Sequence, residues 1–214
     1  MGQVQVKFCG LRNLQDVEVA ANVGASYAGF VFFEKSPRHL ILDQALNLML
    51  AAPLGLAKVA LVVDPDDATL DAMTARLPID ILQLHGHESP ARVAEIRART
   101  GLPIMKAIGV ADADDLAQIL DYSVVSDQIL IDAKPTNDAA LPGGNGLSFD
   151  WRLLVQLHWI KPWMLAGGLT SQNVAQAAAL TKARQVDVSS GVESCVGLKD
   201  PIQMLDFVTA LKDS

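Results

Sequence analysis

The sequence predicts an α/β chain folded as one (β/α)8 barrel, a TIM barrel, and three observations carry that prediction. Short β-rich runs alternate with Ala/Leu-rich helical runs along the whole chain. Eight such β-rich runs occur, and their apolar content is nearly continuous, as parallel strands covered on both faces require. At 214 residues, eight βα units take about 27 residues each, which is compact for this fold. A doubly wound parallel sheet is the competing arrangement of the same alternation. No low-complexity stretch or linker interrupts the pattern, so residues 1–214 are expected to form one catalytic domain.

Val4–Phe8 supplies the first strand, and Asn13 caps a helix with Asp16 in its first turn and Val17, Ala20, Ala21 and Val23 on its apolar face. Tyr27–Phe32 follows, then Asp43 opening Gln44–Ala51. Ala57–Val62 leads to Asp66 or Asp67, which opens Ala68–Arg76. Asp80–Leu84 is followed by Ser89-Pro90, a cap residue before a proline, the favoured order for starting Pro90–Arg99. After Ile104–Ile108 the helical pattern is weakest, from Asp112 or Asp114 to Leu120, so an abbreviated fifth helix is expected. Gln128–Ile131 precedes the one long irregular stretch, Ala133–Ser148, with Pro135, Pro142, Gly143, Gly144 and Gly146. Loops of that length are usually lids or binding loops. Phe149-Asp150 then introduces Trp151–His158, and Trp163–Ala166 is followed by Thr170-Ser171 introducing Gln172–Leu180. Gln185–Val188 is the eighth strand, and Asp200-Pro201 starts Ile202–Leu211. Gly24, Gly55 and Gly101 fall where helix C-termini should end.

Composition narrows the function. With 17 basic and 24 acidic residues the net charge is −7 and the pI near 5.0, against a nucleic-acid partner, since phosphate backbones recruit Lys/Arg-rich faces. Half the residues are hydrophobic and mean hydropathy is +0.27, enough for a large core. No apolar run approaches the roughly 18 residues of a membrane span. The N-terminus enters a strand at once, leaving no room for a signal peptide, and Val6 stands where a myristoylation motif needs Ser or Thr. Two cysteines, Cys9 and Cys195, suit a reducing compartment, so a cytoplasmic protein is expected. No unambiguous apolar stripe decides between a monomer and a homodimer.

In a barrel the chemistry sits at the C-terminal ends of the strands. Those positions hold Cys9, Ser36-Pro37-Arg38, Asp64, His85-Gly86, Asp132, Gly167-Gly168 and Ser189-Ser190-Gly191. The glycine turns after strands seven and eight carry no Lys or Arg, so an anion there would be held by backbone N–H groups and helix dipole, unless the glycines only permit tight turns. Lys7 shares a strand face with Cys9 and offers a charge to its thiolate; the alternative is a thiol that merely fills the barrel. Asp132 ends an apolar strand, as an acid, base or ligand would, or else it caps the backbone or pairs with Lys134. Arg38 suits a substrate carboxylate, its alternative being a solvated loop arginine. His85-Gly86-His87 invites a metal reading, but His39 and His158 fall elsewhere and no Cys/His cluster completes a shell, so no metal is expected. His85 then lines the pocket and His87 the surface.

Taken together these motifs resemble the phosphoribosylanthranilate isomerase family of tryptophan biosynthesis. The matching segments are Val6-Lys-Phe-Cys-Gly-Leu11, Gly29-Phe-Val-Phe32 with Ser36-Pro-Arg38, Leu82-Gln-Leu-His-Gly86 with Glu88, and Leu130-Ile-Asp132. Gly143-Gly-Asn-Gly146 with Phe149-Asp-Trp151, Leu165-Ala-Gly-Gly-Leu169 with Asn173-Val174, and Asp187-Val-Ser-Ser-Gly-Val-Glu193 with Lys199-Asp200 complete the ordered set. The resemblance implies a barrel catalysing an Amadori rearrangement of N-(5-phospho-β-D-ribosyl)anthranilate. It assigns Asp132 as general acid, Cys9 as general base and Arg38 to the anthranilate carboxylate, and Lys7 and His85, read from the rim itself, are expected against the substrate. It places the phosphate on the turns at Gly168 and Ser190-Gly191, and Gly144 and Gly167 are expected to join them. No metal or organic cofactor is implied, because the amine-derived iminium is itself the electron sink. Two positions depart from the family pattern: Arg12 replaces a small hydroxyl residue, and Asn145 replaces the Thr of a Gly-Gly-Thr-Gly loop. A histidine-pathway isomerase of the same architecture uses two aspartates, one where this chain has Cys9. A silent phosphoribosyl-binding module would need neither Cys9 nor Asp132.

Overall fold

The computed structural model describes residues 4–134, 141–144 and 146–212. Pro135 and Asn145, singled out in the sequence, lie outside the described residues. Eight parallel strands close a barrel in chain order: β1 (Gln5–Cys9), β2 (Tyr27–Phe32), β3 (Ala57–Val62), β4 (Ile81–Leu84), β5 (Ile104–Val110), β6 (Gln128–Ala133), β7 (Trp163–Leu165) and β8 (Gln185–Val188). Closure runs through β1 and β8, from Gln5 opposite Gln185 to Phe8 opposite Val188, which rules out the open doubly wound sheet.

Among the described residues, α1 (Leu14–Asn22), α3 (Asp67–Arg76), α4 (Pro90–Thr100) and α7 (Pro201–Lys212) start at the signals read in the sequence, whereas α2 (Leu42–Ala51) starts one residue before Asp43, and α5 (Gln118–Val125) and α6 (Val174–Thr181) start later than expected. Side-chain caps start three of them, with Asn13 accepting from the Asp16 N–H, Asp66 from Thr69 and Ser89 from Arg92. Among the described residues, no helix is long and apolar enough to cross a membrane.

Strand alternation divides the core in two. Outward residues such as Phe8, Phe30, Leu82 and Ile104 pack under the helices, where Phe8 meets Phe207 edge-on at 6.2 Å between ring centres. Inward residues fill the barrel, with Met105, Ala107, Leu130, Met164 and Ala166 in one cluster and Cys9, Val31 and Leu61 in another.

Three local departures bear on the site. The helix expected over Trp151–His158 is only a 3-10 turn, Trp151–Leu154, after which Trp159 leaves to stack on Trp163 at 4.2 Å. The fifth connection is a 3-10 turn, Ala113–Ala117, running into the eight-residue α5, so the strongest shortening falls after β6. The Thr170–Asn173 segment forms a turn in place of a first helical turn, because Asn173 accepts from the Thr170 N–H and donates to the Gly168 carbonyl. A short antiparallel hairpin unforeseen in the sequence, β9 (Glu193–Cys195) with β10 (Leu198–Lys199), sits between β8 and α7.

Candidate active site

Alternation along β1 turns Lys7 and Cys9 into the barrel. Lys7 is fully buried, its ammonium donates to Asp187 Oδ1 at 2.8 Å, and it is not among the residues that line the two clefts of the rim. Burial opposes the Lys7 charge, but Asp187 and Cys9 outweigh it and raise its pKa above the usual lysine value. Burial also dominates at Cys9 and pushes the thiol up, although Lys7, Lys199 and Arg38 all pull it down. The expected lowering by Lys7 is therefore present but outweighed.

Arg38 is 4% exposed, far from the solvated loop arginine that was its alternative. Its Nε and Nη2 donate to the two Glu193 carboxylate oxygens at 2.7 and 2.8 Å. That pairing consumes the side-on edge of the guanidinium and leaves the Nη1–Nη2 edge for a second carboxylate. Glu193 also accepts from Lys199 at 2.7 Å and from the Gly197 N–H at 3.0 Å. Lys199 reaches the Ser189 carbonyl at 2.9 Å, and the Ser189 hydroxyl donates to the Cys9 carbonyl at 3.0 Å. One buried network thus ties Arg38 to the backbone of Cys9. The hairpin exists to deliver Glu193 and Lys199 into it. Arg12 lies outside this network, over Gly197.

Asp132 stands one residue before the end of β6, with its Oδ1 accepting from the Ala133 N–H at 2.8 Å. Its Oδ2 stands 3.4 Å from His85 Nε2, while His85 Nδ1 is 2.9 Å from the side-chain nitrogen of Gln83. Lys134 pairs with Asp115 instead, so the alternative bridge to Asp132 does not form. A Cβ on Gly143 would fall 2.6 Å from His85 Nε2 and 2.7 Å from Asp132 Oδ2, so only glycine lets the long loop lie against this pair. The turn after His85 is fastened from behind: buried Lys106 donates to Glu88 and to the Gly86 carbonyl, both at 2.8 Å. His87 is exposed, as read from the sequence. Among the described residues, no group of three His, Cys, Asp or Glu is placed to hold a metal.

The glycine turns form a cleft of about 400 Å³ lined by Gly144, Gly146, Gly167, Gly168, Ser190 and Gly191, with no Lys or Arg on its wall among the described residues. Gly167 and Gly168 have φ of 88° and 62°, and a Cβ on Gly191 would sit 1.9 Å from the Leu169 carbonyl. Ser190–Val192 is a three-residue 3-10 turn and α6 starts only at Val174, six residues after Gly168. A second cleft of about 460 Å³ holds Cys9, Arg38 and His85 against an apolar wall of Val31, Phe33, Leu61 and Val63. The two share Asp132, Gly143, Gly144, Asp187 and Ser189. Sequence reasoning gave no role to Asp187, Glu193, Lys199 or Gln83. Asp187 and Gln83 had a signal, each lying two residues before a rim residue on an inward strand face.

A closed barrel with a carboxyl group and a thiol in one cleft at the C-terminal ends of its strands, beside a second cleft lined by glycines, has the layout of a (β/α)8 enzyme. Residues 6–210 match the model of the N-(5'phosphoribosyl)anthranilate (PRA) isomerase family, and the chain belongs to that family. The N-(5'-phosphoribosyl)anthranilate isomerase of Cereibacter sphaeroides is 64% identical over 99% of this chain and 100% of its own. Monomers generated from the dimeric phosphoribosylanthranilate isomerase of Thermotoga maritima superpose with a TM-score of 0.83 at 30% identity, over 99% of this chain and 100% of theirs. A phosphoribosyl anthranilate isomerase in complex with reduced 1-(o-carboxyphenylamino)-1-deoxyribulose 5-phosphate superposes with a TM-score of 0.84 at 29% identity, with the same coverage.

Proposed function

We propose that this chain, as one domain, converts N-(5-phospho-β-D-ribosyl)anthranilate into 1-(2-carboxyphenylamino)-1-deoxy-D-ribulose 5-phosphate in tryptophan biosynthesis. Asp132 gives its proton to the ribose ring oxygen, the C1′–O bond breaks, and the anthranilate nitrogen takes up the charge as an iminium. Cys9, as thiolate, removes the C2′ proton, and the electron pair moves into the iminium to give an enolamine. Tautomerisation moves the C2′ hydroxyl proton to C1′ and yields the ketone, and the proton taken by Cys9 returns to Asp132 through solvent, so the substrate is isomerised and the enzyme is restored. The iminium is the electron sink, and the chemistry calls for no cofactor.

The observation that carries this reading is the pair of clefts meeting at Asp132. A ligand with phosphate at one end and an aryl carboxylate at the other would lie across the acid and the thiol. Its phosphate takes the N–H groups around Gly144, Gly167, Gly168, Ser190 and Gly191, and its carboxylate the free edge of Arg38. The aromatic ring suits the wall of Val31, Phe33, Leu61 and Val63. Lys7, below the thiol, offsets the charge of its thiolate. The enzyme acts on a small molecule in the cytoplasm, where the unpaired Cys9 and Cys195 stay reduced, and works as a monomer or homodimer. Freshly prepared phosphoribosylanthranilate should lose its anthranilate fluorescence on adding the enzyme. Unchanged emission at micromolar enzyme would overturn the proposal.

A further inference from the structure

Gln83 is the polar exception in its surroundings. It is fully buried on the inward face of β4, and its register neighbours, Leu61 on β3 and Met105 on β5, are buried apolar residues. Its amide nitrogen meets His85 Nδ1 at 2.9 Å, while its buried amide oxygen has no partner among the described residues. A buried, unpaired acceptor is destabilising, and an apolar side chain of similar length would fit the same space without that penalty. The glutamine therefore has one polar relationship, and it is directed at His85.

That relationship fixes a proton. An amide N–H can donate to Nδ1 only when Nδ1 carries a lone pair, which leaves the single ring proton of neutral His85 on Nε2. Nε2 is the atom that stands 3.4 Å from Asp132 Oδ2, under the backbone of Gly143. We propose that Gln83 is a positioning residue that locks His85 in its Nε2–H tautomer, so that the imidazole donates to Asp132 as this carboxyl group gives up its proton. The contact, longer here than a made hydrogen bond, tightens as negative charge develops on Oδ2. This inference rests on the reading of Asp132 as the acid.

The test is a long-range 1H–15N correlation spectrum of the full chain carrying 15N-histidine, with His85 assigned by comparison with His85→Asn. Without substrate, wild-type His85 should show a protonated Nε2 and a bare Nδ1. Gln83→Leu should mix the tautomers, lower kcat about tenfold by weakening a hydrogen bond to a charged group, and leave KM within about twofold. Its melting temperature should be unchanged or higher, because the orphaned oxygen is gone. Gln83→Glu should move the ring proton to Nδ1 and lower kcat as well. A wild-type spectrum with Nδ1 protonated overturns the proposal, and so does a Gln83→Leu enzyme with wild-type kcat. The spectrum needs no turnover, so it stands even if Asp132→Asn shows that the acid is another group. It also decides the matter if Gln83→Leu fails to fold.

Discussion

Replacing Glu193 by glutamine would take the negative charge from between two buried cations, Arg38 and Lys199. Burial opposes the Glu193 charge, yet hydrogen bonds from Arg38, Lys199 and the Gly197 N–H hold its pKa at about 2 against an ordinary 4.5. At ~1.4 kcal/mol per unit the shift represents about 3 kcal/mol of folding stability, and the bond that a glutamine oxygen keeps brings the cost of the substitution to about 2 kcal/mol. Since the folded pKa lies below the unfolded one, that stability is complete above 4.5 and is lost as the pH falls through about 2. The glutamine oxygen still accepts one bond, so the loss stays short of the about 3–5 kcal/mol of a buried pair broken outright. Urea unfolding should therefore place Glu193→Gln about 2 kcal/mol below wild type at neutral pH, with the gap shrinking by more than half near pH 3. KM should rise in parallel, because Arg38 loses the partner that sets its plane. A gap that is absent at neutral pH, or constant down to pH 3, would refute the reasoning.

Cys9→Ala should lower kcat by at least about 10²-fold, whereas Cys195→Ala, on the exposed hairpin, should be silent; equal effects would remove Cys9 from the mechanism. Because burial holds the thiol above its usual value, wild-type kcat/KM should keep climbing with pH beyond neutrality, and a flat profile there would exclude it as the base. Asp132→Asn preserves shape but has no proton to give, so kcat should fall at least about 10²-fold with KM largely retained. Arg38→Ala should raise KM more than it lowers kcat, and Arg38→Lys should recover little, since an ammonium cannot span both Glu193 and a substrate carboxylate; steady-state kinetics checks both.

The barrel was legible in the sequence because burial on two faces leaves strands as unbroken apolar runs, and because Asn13, Asp66 and Ser89 announce their helices through side-chain caps that do form. Strand ends were less legible: β5 and β6 run on to Val110 and Ala133, paired with each other beyond the point where the apolar runs stop. The rim residues were found since a strand's last inward position is fixed by alternation alone. Their partners were not. Glu193 binds an arginine 155 positions away, from a hairpin too short to show a period of two. Lys7, Lys106 and Lys199 are all but fully buried, and nothing local distinguishes them from the solvated lysines their residue type suggests. The same blindness hid the pairing of Lys7 with Asp187.

The seam between β1 and β8 sets when during synthesis this site comes into being. The bonds from Lys7 to Asp187 and from Ser189 to Cys9 each join residues 180 positions apart. A nascent chain that has emerged only through β7 lacks the carboxylate under Lys7, the hydroxyl on the Cys9 carbonyl, most of the glycine cleft and the Glu193 that fixes Arg38. Contacts of such long sequence separation form slowly, since the whole intervening chain must close as a loop first. Residues 7, 9 and 38 leave the ribosome early and wait for the last strand before they become a site.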